Sequence, residues 1–143
     1  MKYQNTQLYM ECHLVAIWNA ARFFGMEHKI PKIGTEEYDK WCLKYACKSG
    51  SCIGLKKEFK RLGLKRVEGK WNFDWIKNNL PVVLSIYPPK QRPHAILAVK
   101  EQFGGFVVAN FGGGVIQWYS YEKLYEMKIN NPCFNPEAIK KRK

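Results

Sequence analysis

The sequence predicts an α+β fold in which N-terminal helices pack on a C-terminal antiparallel sheet. Before residue 80, apolar residues recur three and four positions apart, which is the period of amphipathic helices. After residue 80 the pattern changes to short apolar runs bounded by proline or glycine, which is typical of strands. With 143 residues and 46% apolar residues, the chain can bury a substantial core, and we expect a single domain over 1–143.

The predicted helices combine helical spacing of apolar residues with recognisable start or stop signals. Gly25 and Gly63 are good C-terminal stops, whereas Thr35 and Ser120 are good N-terminal caps. The helices are predicted over residues 12–24, 35–46, 53–63, 71–79 and 121–127.

Four strands are predicted, each a short apolar run ended by turn residues. A turn at Gly104-Gly105 joins the second strand to the third. The chain after Pro132 lacks such a pattern and ends in Lys140-Lys141-Arg142-Lys143, so we expect a loosely held basic tail over 132–143. The strands are predicted over residues 81–87, 94–100, 106–110 and 115–119.

The formal net charge is +12. No nucleic-acid recognition motif accompanies it, so nucleic acid is a less favoured partner than a peptide or protein. No apolar run approaches the ~18 residues that cross a bilayer, and the first residues contain no signal-peptide core. We therefore expect a cytoplasmic protein with reduced cysteines and no membrane partner. Besides the tail, the basic residues cluster at Lys56, Lys57, Lys60, Arg61, Lys65 and Arg66.

Cys12 is the strongest candidate for a reactive residue, because it lies at the predicted start of the first helix. Backbone N–H groups and the positive end of the helix dipole favour a thiolate there. His94 opens one predicted strand and Asn110 closes the next, so both side chains can meet the sulfur in space. A nucleophile, a base and an orienting amide in this order are typical of a papain-like site. The alternatives are a buried helix cysteine at Cys12, and His13 or His28 as the base.

Further short motifs flank these residues, and their order and spacing form a recognisable pattern. The motifs are Phe23-Phe24-Gly25, Leu62-Gly63-Leu64, Leu80-Pro81-Val82-Val83-Leu84 and Ser120-Tyr121-Glu122-Lys123-Leu124. Together with Cys12, His94 and Asn110 they resemble the papain-like peptidases that cleave double-glycine leaders from bacteriocin and other peptide precursors, and the stand-alone relatives of those enzymes. The resemblance covers about residues 4–127, which we take as the core of the domain.

The resemblance implies a cysteine peptidase with a Cys-His-Asn triad. In that family the cysteine is the nucleophile, which corresponds to Cys12, and the histidine is the base, which corresponds to His94. Asn110 matches the residue that orients the histidine, and Gln7 matches the glutamine of the oxyanion hole. Gln7 lies one residue nearer the cysteine than the usual spacing, and Gln4 is the alternative.

Other interpretations are motivated by three features: the residue after Cys12, the displaced glutamine and the net charge of +12. His13 stands where glycine is usual, and Asn110-Phe111 stands where aspartate and proline are usual. An asparagine can still accept the imidazole N–H, so the orienting role is chemically kept. The main alternative is a catalytically relict papain-like module, of a kind that a phage could encode, which binds or inhibits a host protein or nucleic acid. A cell-wall amidase of the related cysteine and histidine type is a third interpretation.

Neither a cofactor nor a metal is expected. Gly112-Gly113-Gly114 lacks the lysine and the helix that follow a phosphate-binding loop. The other cysteines have a C-x4-C-x4-C spacing with a remote fourth residue, which is not a common zinc pattern. We expect a monomer that acts on a peptide or protein substrate. These cysteines are Cys42, Cys47, Cys52 and Cys133.

Overall fold

The structure is a computed structural model that describes residues 19–32, 34–46, 53–87, 94–109, 116–129 and 135–142. Within these ranges, helices combine with one antiparallel sheet of six strands, which confirms the α+β class. The helices are α1 (residues 19–23), α2 (Glu36–Ala46), α3 (Ile53–Arg61), α4 (Phe73–Asn78) and α5 (Tyr121–Met127). The strands are β1 (Leu64–Glu68), β2 (Val82–Ile86), β3 (His94–Gln102), β4 (Gly105–Ala109), β5 (Ile116–Ser120) and β6 (Glu137–Lys141). Across the sheet their order is β1-β6-β2-β3-β4-β5.

The ends of α1 and α3 follow the glycine signals of the sequence. Gly25 has a φ of 72°, and its N–H donates to the Arg22 carbonyl at 3.0 Å. The Met26 N–H donates to the Ala21 carbonyl at 2.7 Å, which completes a Schellman motif. Gly63 follows α3 with the same φ of 72°, a conformation that costs glycine little. Both predicted helix stops are confirmed.

Side-chain caps begin the other helices. The side-chain oxygens of Thr35, Asn72 and Ser120 each accept a hydrogen bond from the backbone N–H three residues later, at 3.2, 3.0 and 3.1 Å. Each bond satisfies one of the N–H groups that have no partner inside the first turn of a helix. The predicted starts of α2 and α5 are confirmed, and α4 is shorter than the predicted range 71–79.

Strands β1 and β6 are absent from the sequence-based prediction. β6 lies between β1 and β2, and its residues Ala138 and Ile139 are completely buried. The expectation of a loosely held tail is therefore wrong for Glu137–Lys141, which forms an inner strand of the sheet. The reason is that its partners lie far away in sequence, as in the pair formed by Leu64 and Lys141, so no local pattern reveals the strand.

Helices cover both faces of the sheet and create two apolar cores. The first core lies between the sheet and α1, α2 and α3, and the second lies between the sheet and α4 and α5. N-terminal helices pack on the sheet as expected, but α4 and α5 occupy its opposite face. The first core consists of Ala20, Ala21, Ile30, Tyr38, Trp41, Phe59, Leu62, Leu64, Val83, Ala95, Leu97, Ala109 and Ile139. The second consists of Ile76, Val82, Leu84, Ile86, Ile96, Ala98, Phe106, Val108, Leu124, Met127 and Ala138.

A two-residue turn, Phe103-Gly104, joins β3 to β4. Both residues have positive φ, 53° at Phe103 and 73° at Gly104, as a type I′ hairpin requires. Gly105 then begins β4, where a Cβ would lie 2.2 Å from the Tyr119 carbonyl oxygen. The turn is thus one residue earlier than predicted, and the close approach of β5 explains why Gly105 is a strand residue.

Candidate active site

The predicted base opens a strand whose neighbours finish towards the same end of the sheet. His94 is the first residue of β3 and pairs with Ile86, the last residue of β2. Leu97 of β3 pairs with Ala109, the last residue of β4. We call the end of the sheet where β2 and β4 finish and β3 begins the site end. The position of His94 at the start of a strand is confirmed, whereas Asn110, which follows Ala109 in the sequence, lies outside the described residues.

Helix α1 lies on the same face as the first core and finishes far from the site end. Ala20 and Ala21 of α1 are buried in that core. Just after α1, the ring of Phe24 lies under the Lys141 ammonium, with Nζ 5.6 Å from the ring centroid. Lys141 is the last residue of β6, at the opposite end of the sheet from His94.

Asn19 is a polar residue of α1 that the sequence reasoning did not single out. It is only 4% exposed, and its Nδ2 has no hydrogen-bond partner among the described residues. In a helix that begins at residue 12, Asn19 would lie on the same side as Cys12, because the two are seven positions apart. A single asparagine within a run of apolar residues was the available signal.

An aromatic and basic rim borders the site end. The backbone of Lys128 pairs with that of Ile86 in an isolated antiparallel β-bridge. The Tyr87 N–H donates to the Met127 carbonyl at 2.6 Å. The Lys128 ammonium lies 4.4 Å from the centroid of the exposed Tyr125 ring. Tyr87 is also exposed. These side chains were missed from the sequence, because the segment after α5 shows no pattern that predicts its return to β2.

The structure describes the proposed catalytic residues only in part. Cys12, Gln7 and Asn110 lie outside the described residues, as do the alternatives Gln4 and His13, and His94 is described by its backbone alone. His28 is exposed in a short 3-10 helix, Glu27–Lys29. The predicted meeting of the sulfur, the imidazole and the amide therefore stays a prediction.

Metal binding and membrane insertion were also considered for the described part of the chain. There, no group of three or more histidine, cysteine or acidic residues is arranged to hold a metal ion. Cys42 lies in α2, whereas Cys47, Cys52 and Cys133 fall outside the described ranges. Among the helices described, none has both the length and the apolar character needed to cross a bilayer.

Comparison with known proteins gives no relative to which the site can be aligned. No protein-family model matches the chain, and no curated protein matches it. The proposal for the site therefore depends on the chain's own residues and geometry.

Proposed function

We propose that this protein is a papain-like cysteine peptidase that cleaves a peptide or isopeptide bond with a Cys12-His94-Asn110 triad. The observation that carries the proposal is the pairing of Ile86 with His94 and of Leu97 with Ala109. These pairs set the end of β4 at the level of Leu97, three residues along β3 from His94, which is about 10 Å. A base and the residue that orients it must lie near each other.

The length of the first helix supports the same site. Lys141 and His94 are separated along the strand direction by three residues of β6 and four of β2. At the rise of a strand, this separation is about 23 Å. A helix from Cys12 to Phe24, as the sequence predicts, rises about 18 Å. Because Phe24 lies beside Lys141, a helix of that length directed along the strands begins close to the level of His94. Ile86, which pairs with His94, belongs to the second core on the face opposite α1, so the proposal requires the imidazole to reach Cys12 around the end of the sheet.

The chemistry follows from the residue types. His94 takes the thiol proton of Cys12, and the thiolate attacks the scissile carbonyl carbon. The Gln7 amide and the Cys12 backbone N–H stabilise the oxyanion of the tetrahedral intermediate. The imidazolium then protonates the leaving amine, which breaks the C–N bond and leaves a thioester on Cys12. Water, deprotonated by His94, hydrolyses that thioester and restores the thiol, while the Asn110 carbonyl oxygen accepts the other imidazole N–H.

The proposal is tested with a diverse peptide library whose products are identified by mass spectrometry. We expect cleavage by the native chain, loss of cleavage to background in Cys12→Ala, and the same loss in His94→Ala. His28→Ala is the matched control, because His28 is exposed and outside the proposed triad. Cleavage that persists in Cys12→Ala, or no cleavage of any peptide by a folded native chain, contradicts the proposal.

A further inference from the structure

A group of exposed basic residues lies where α3, β1 and the end of β6 meet. The Gly63 N–H donates to the Lys60 carbonyl at 3.0 Å, and the Arg142 N–H donates to the Gly63 carbonyl at 2.8 Å. Lys141 pairs with Leu64 at the start of β1. These bonds bring residues from both halves of the chain into one surface, which we call the basic corner. Its members are Lys57, Lys60, Lys141 and Arg142, all exposed.

The positive charge of this corner is not balanced by neighbouring acids. Arg61 is paired with the buried Glu58 carboxylate, and Arg66 lies 3.7 Å from a Glu137 carboxylate oxygen. By contrast, within the described part of the chain none of the four members of the basic corner forms an ion pair with a carboxylate. Concentrated and unbalanced cations create a local potential that attracts polyanions.

Protection of a sheet edge does not explain these residues. β1 is an edge strand, and an exposed lysine such as Lys65 discourages pairing with another chain. Lys65, however, lies outside the basic corner, because its partner Lys140 donates to the Asn79 side-chain oxygen at 3.0 Å on the α4 face of the sheet, opposite α3. Lys57 and Lys60 lie on a helix, where edge protection does not apply. The accumulation of charge therefore calls for a second explanation.

An exposed aromatic ring adjoins the basic corner. Phe23 is 46% exposed and packs edge-on against Phe24, with 5.1 Å between the ring centroids. Phe24 in turn lies under the Lys141 ammonium at 5.6 Å. An exposed phenyl ring that reaches the Lys141 ammonium through Phe24 offers a base-stacking position near a phosphate-binding group, the combination that single-stranded nucleic acids use. An acidic peptide would use the cations but has no aromatic base to stack on Phe23.

We propose that the basic corner binds single-stranded nucleic acid. The ammonium groups of Lys57, Lys60 and Lys141 bind successive phosphates, and Phe23 stacks on a base. The surface lies about 23 Å along the strands from the level of His94, so binding is separate from the proposed peptidase chemistry. A chain that carries Cys12→Ala and His94→Ala should therefore bind as tightly as the native chain.

Binding is measured by fluorescence anisotropy with labelled 20-nucleotide DNA and RNA strands of mixed sequence, over a series of salt concentrations. We expect Lys57→Gln, Lys60→Gln and Lys141→Gln together to weaken binding roughly tenfold and to reduce the salt slope by about 2. The matched control replaces Lys70, Lys100 and Lys123 with Gln. It removes the same charge from exposed positions elsewhere and should change affinity less than about twofold. Phe23→Ala should weaken binding about fivefold or more, whereas Phe103→Ala, at the turn between β3 and β4, should not.

Three results overturn the proposal. The first is no salt-dependent binding of either strand by the folded native chain. The second is an equal loss of affinity in the two triple variants, which indicates attraction by net charge alone. The third is tighter binding of polyglutamate or of anionic vesicles than of the oligonucleotides, with the same dependence on the basic corner. The ratio of the affinities for the DNA and RNA strands shows which of the two the basic corner prefers.

Discussion

The site end and the basic corner lie at opposite ends of the same sheet, and they are built differently. The site end is defined by the termini of strands: the start of β3 and the ends of β2 and β4. The basic corner is formed by residues within α3 and at the end of β6, which hydrogen bonds through Gly63 and pairing with β1 hold together. Catalytic groups at element termini can converge without disturbing the ladder, whereas a charged surface needs a rigid sheet beneath it. Changes at one end should therefore leave the other largely intact.

The largest expected effect tests whether β6 supports the basic corner. Ile139→Ala removes a completely buried side chain from the first core and should lower the free energy of unfolding by about 2–5 kcal/mol. The control is Val67→Ala on the neighbouring edge strand, which is 38% exposed and should cost less than about 1 kcal/mol. Urea denaturation measures both. If both variants lost the same small amount of unfolding free energy, β6 would not stabilise the sheet more than the edge strand does.

A smaller effect is expected at the hairpin between the two strands that define the site. Phe103 adopts a φ of 53° and is 85% exposed, so its ring contributes little burial to offset a strained backbone. Phe103→Asn should raise the free energy of unfolding by about 0.5–1 kcal/mol, because asparagine accepts this conformation more readily. Phe103→Ala keeps the strain and should give no gain. A gain in both variants would assign the effect to the exposed ring instead.

The smallest effect concerns the β1–β6 pairing. Burial raises the pKa of Glu137. The Arg66 guanidinium opposes this rise, and the facing Glu68 carboxylate adds to it. A raised carboxyl pKa adds stability below the ordinary value of 4.5, and this stability is lost as the pH rises through the folded-state pKa. Glu137→Gln should therefore be more stable than the native chain at pH 7, by about 0.2–1 kcal/mol, with a smaller advantage at pH 4.

Denaturation of both chains at the two pH values measures this difference. Glu126→Gln, an exposed residue of α5, controls for the loss of one negative charge. An advantage of Glu137→Gln that is larger at pH 4 than at pH 7 would contradict the direction of the pKa shift.

Local signals predicted most of the fold, because helix caps and turns are decided by neighbouring residues. Gly25, Gly63, Thr35 and Ser120 each act within one turn of a helix, and the structure confirms all four. The segments Leu64–Glu68 and Glu137–Lys141 could not be identified in this way. They contain few apolar residues, and each becomes a strand only because the other pairs with it across most of the chain.

The candidate site was predicted by residue type rather than by local pattern. The position of His94 at the start of β3 was correct, since an apolar run of strand length follows it directly. The rim of Tyr87, Tyr125 and Lys128 could not be foreseen, because it depends on how the segment after α5 returns to β2. Side chains that meet only through tertiary packing leave no periodic trace in a single sequence.

The reactivity of Cys12 tests the central claim most directly. Alkylation by iodoacetamide, followed at the Cys12 peptide by mass spectrometry across pH, reports the thiol pKa. A thiol at a helix N-terminus beside the His94 imidazolium should titrate well below the free value of ~8.5. His94→Ala should raise the midpoint, and His28→Ala should leave it unchanged. A midpoint at or above the free value that His94→Ala does not move would mean that no ion pair exists, and would contradict the proposed peptidase.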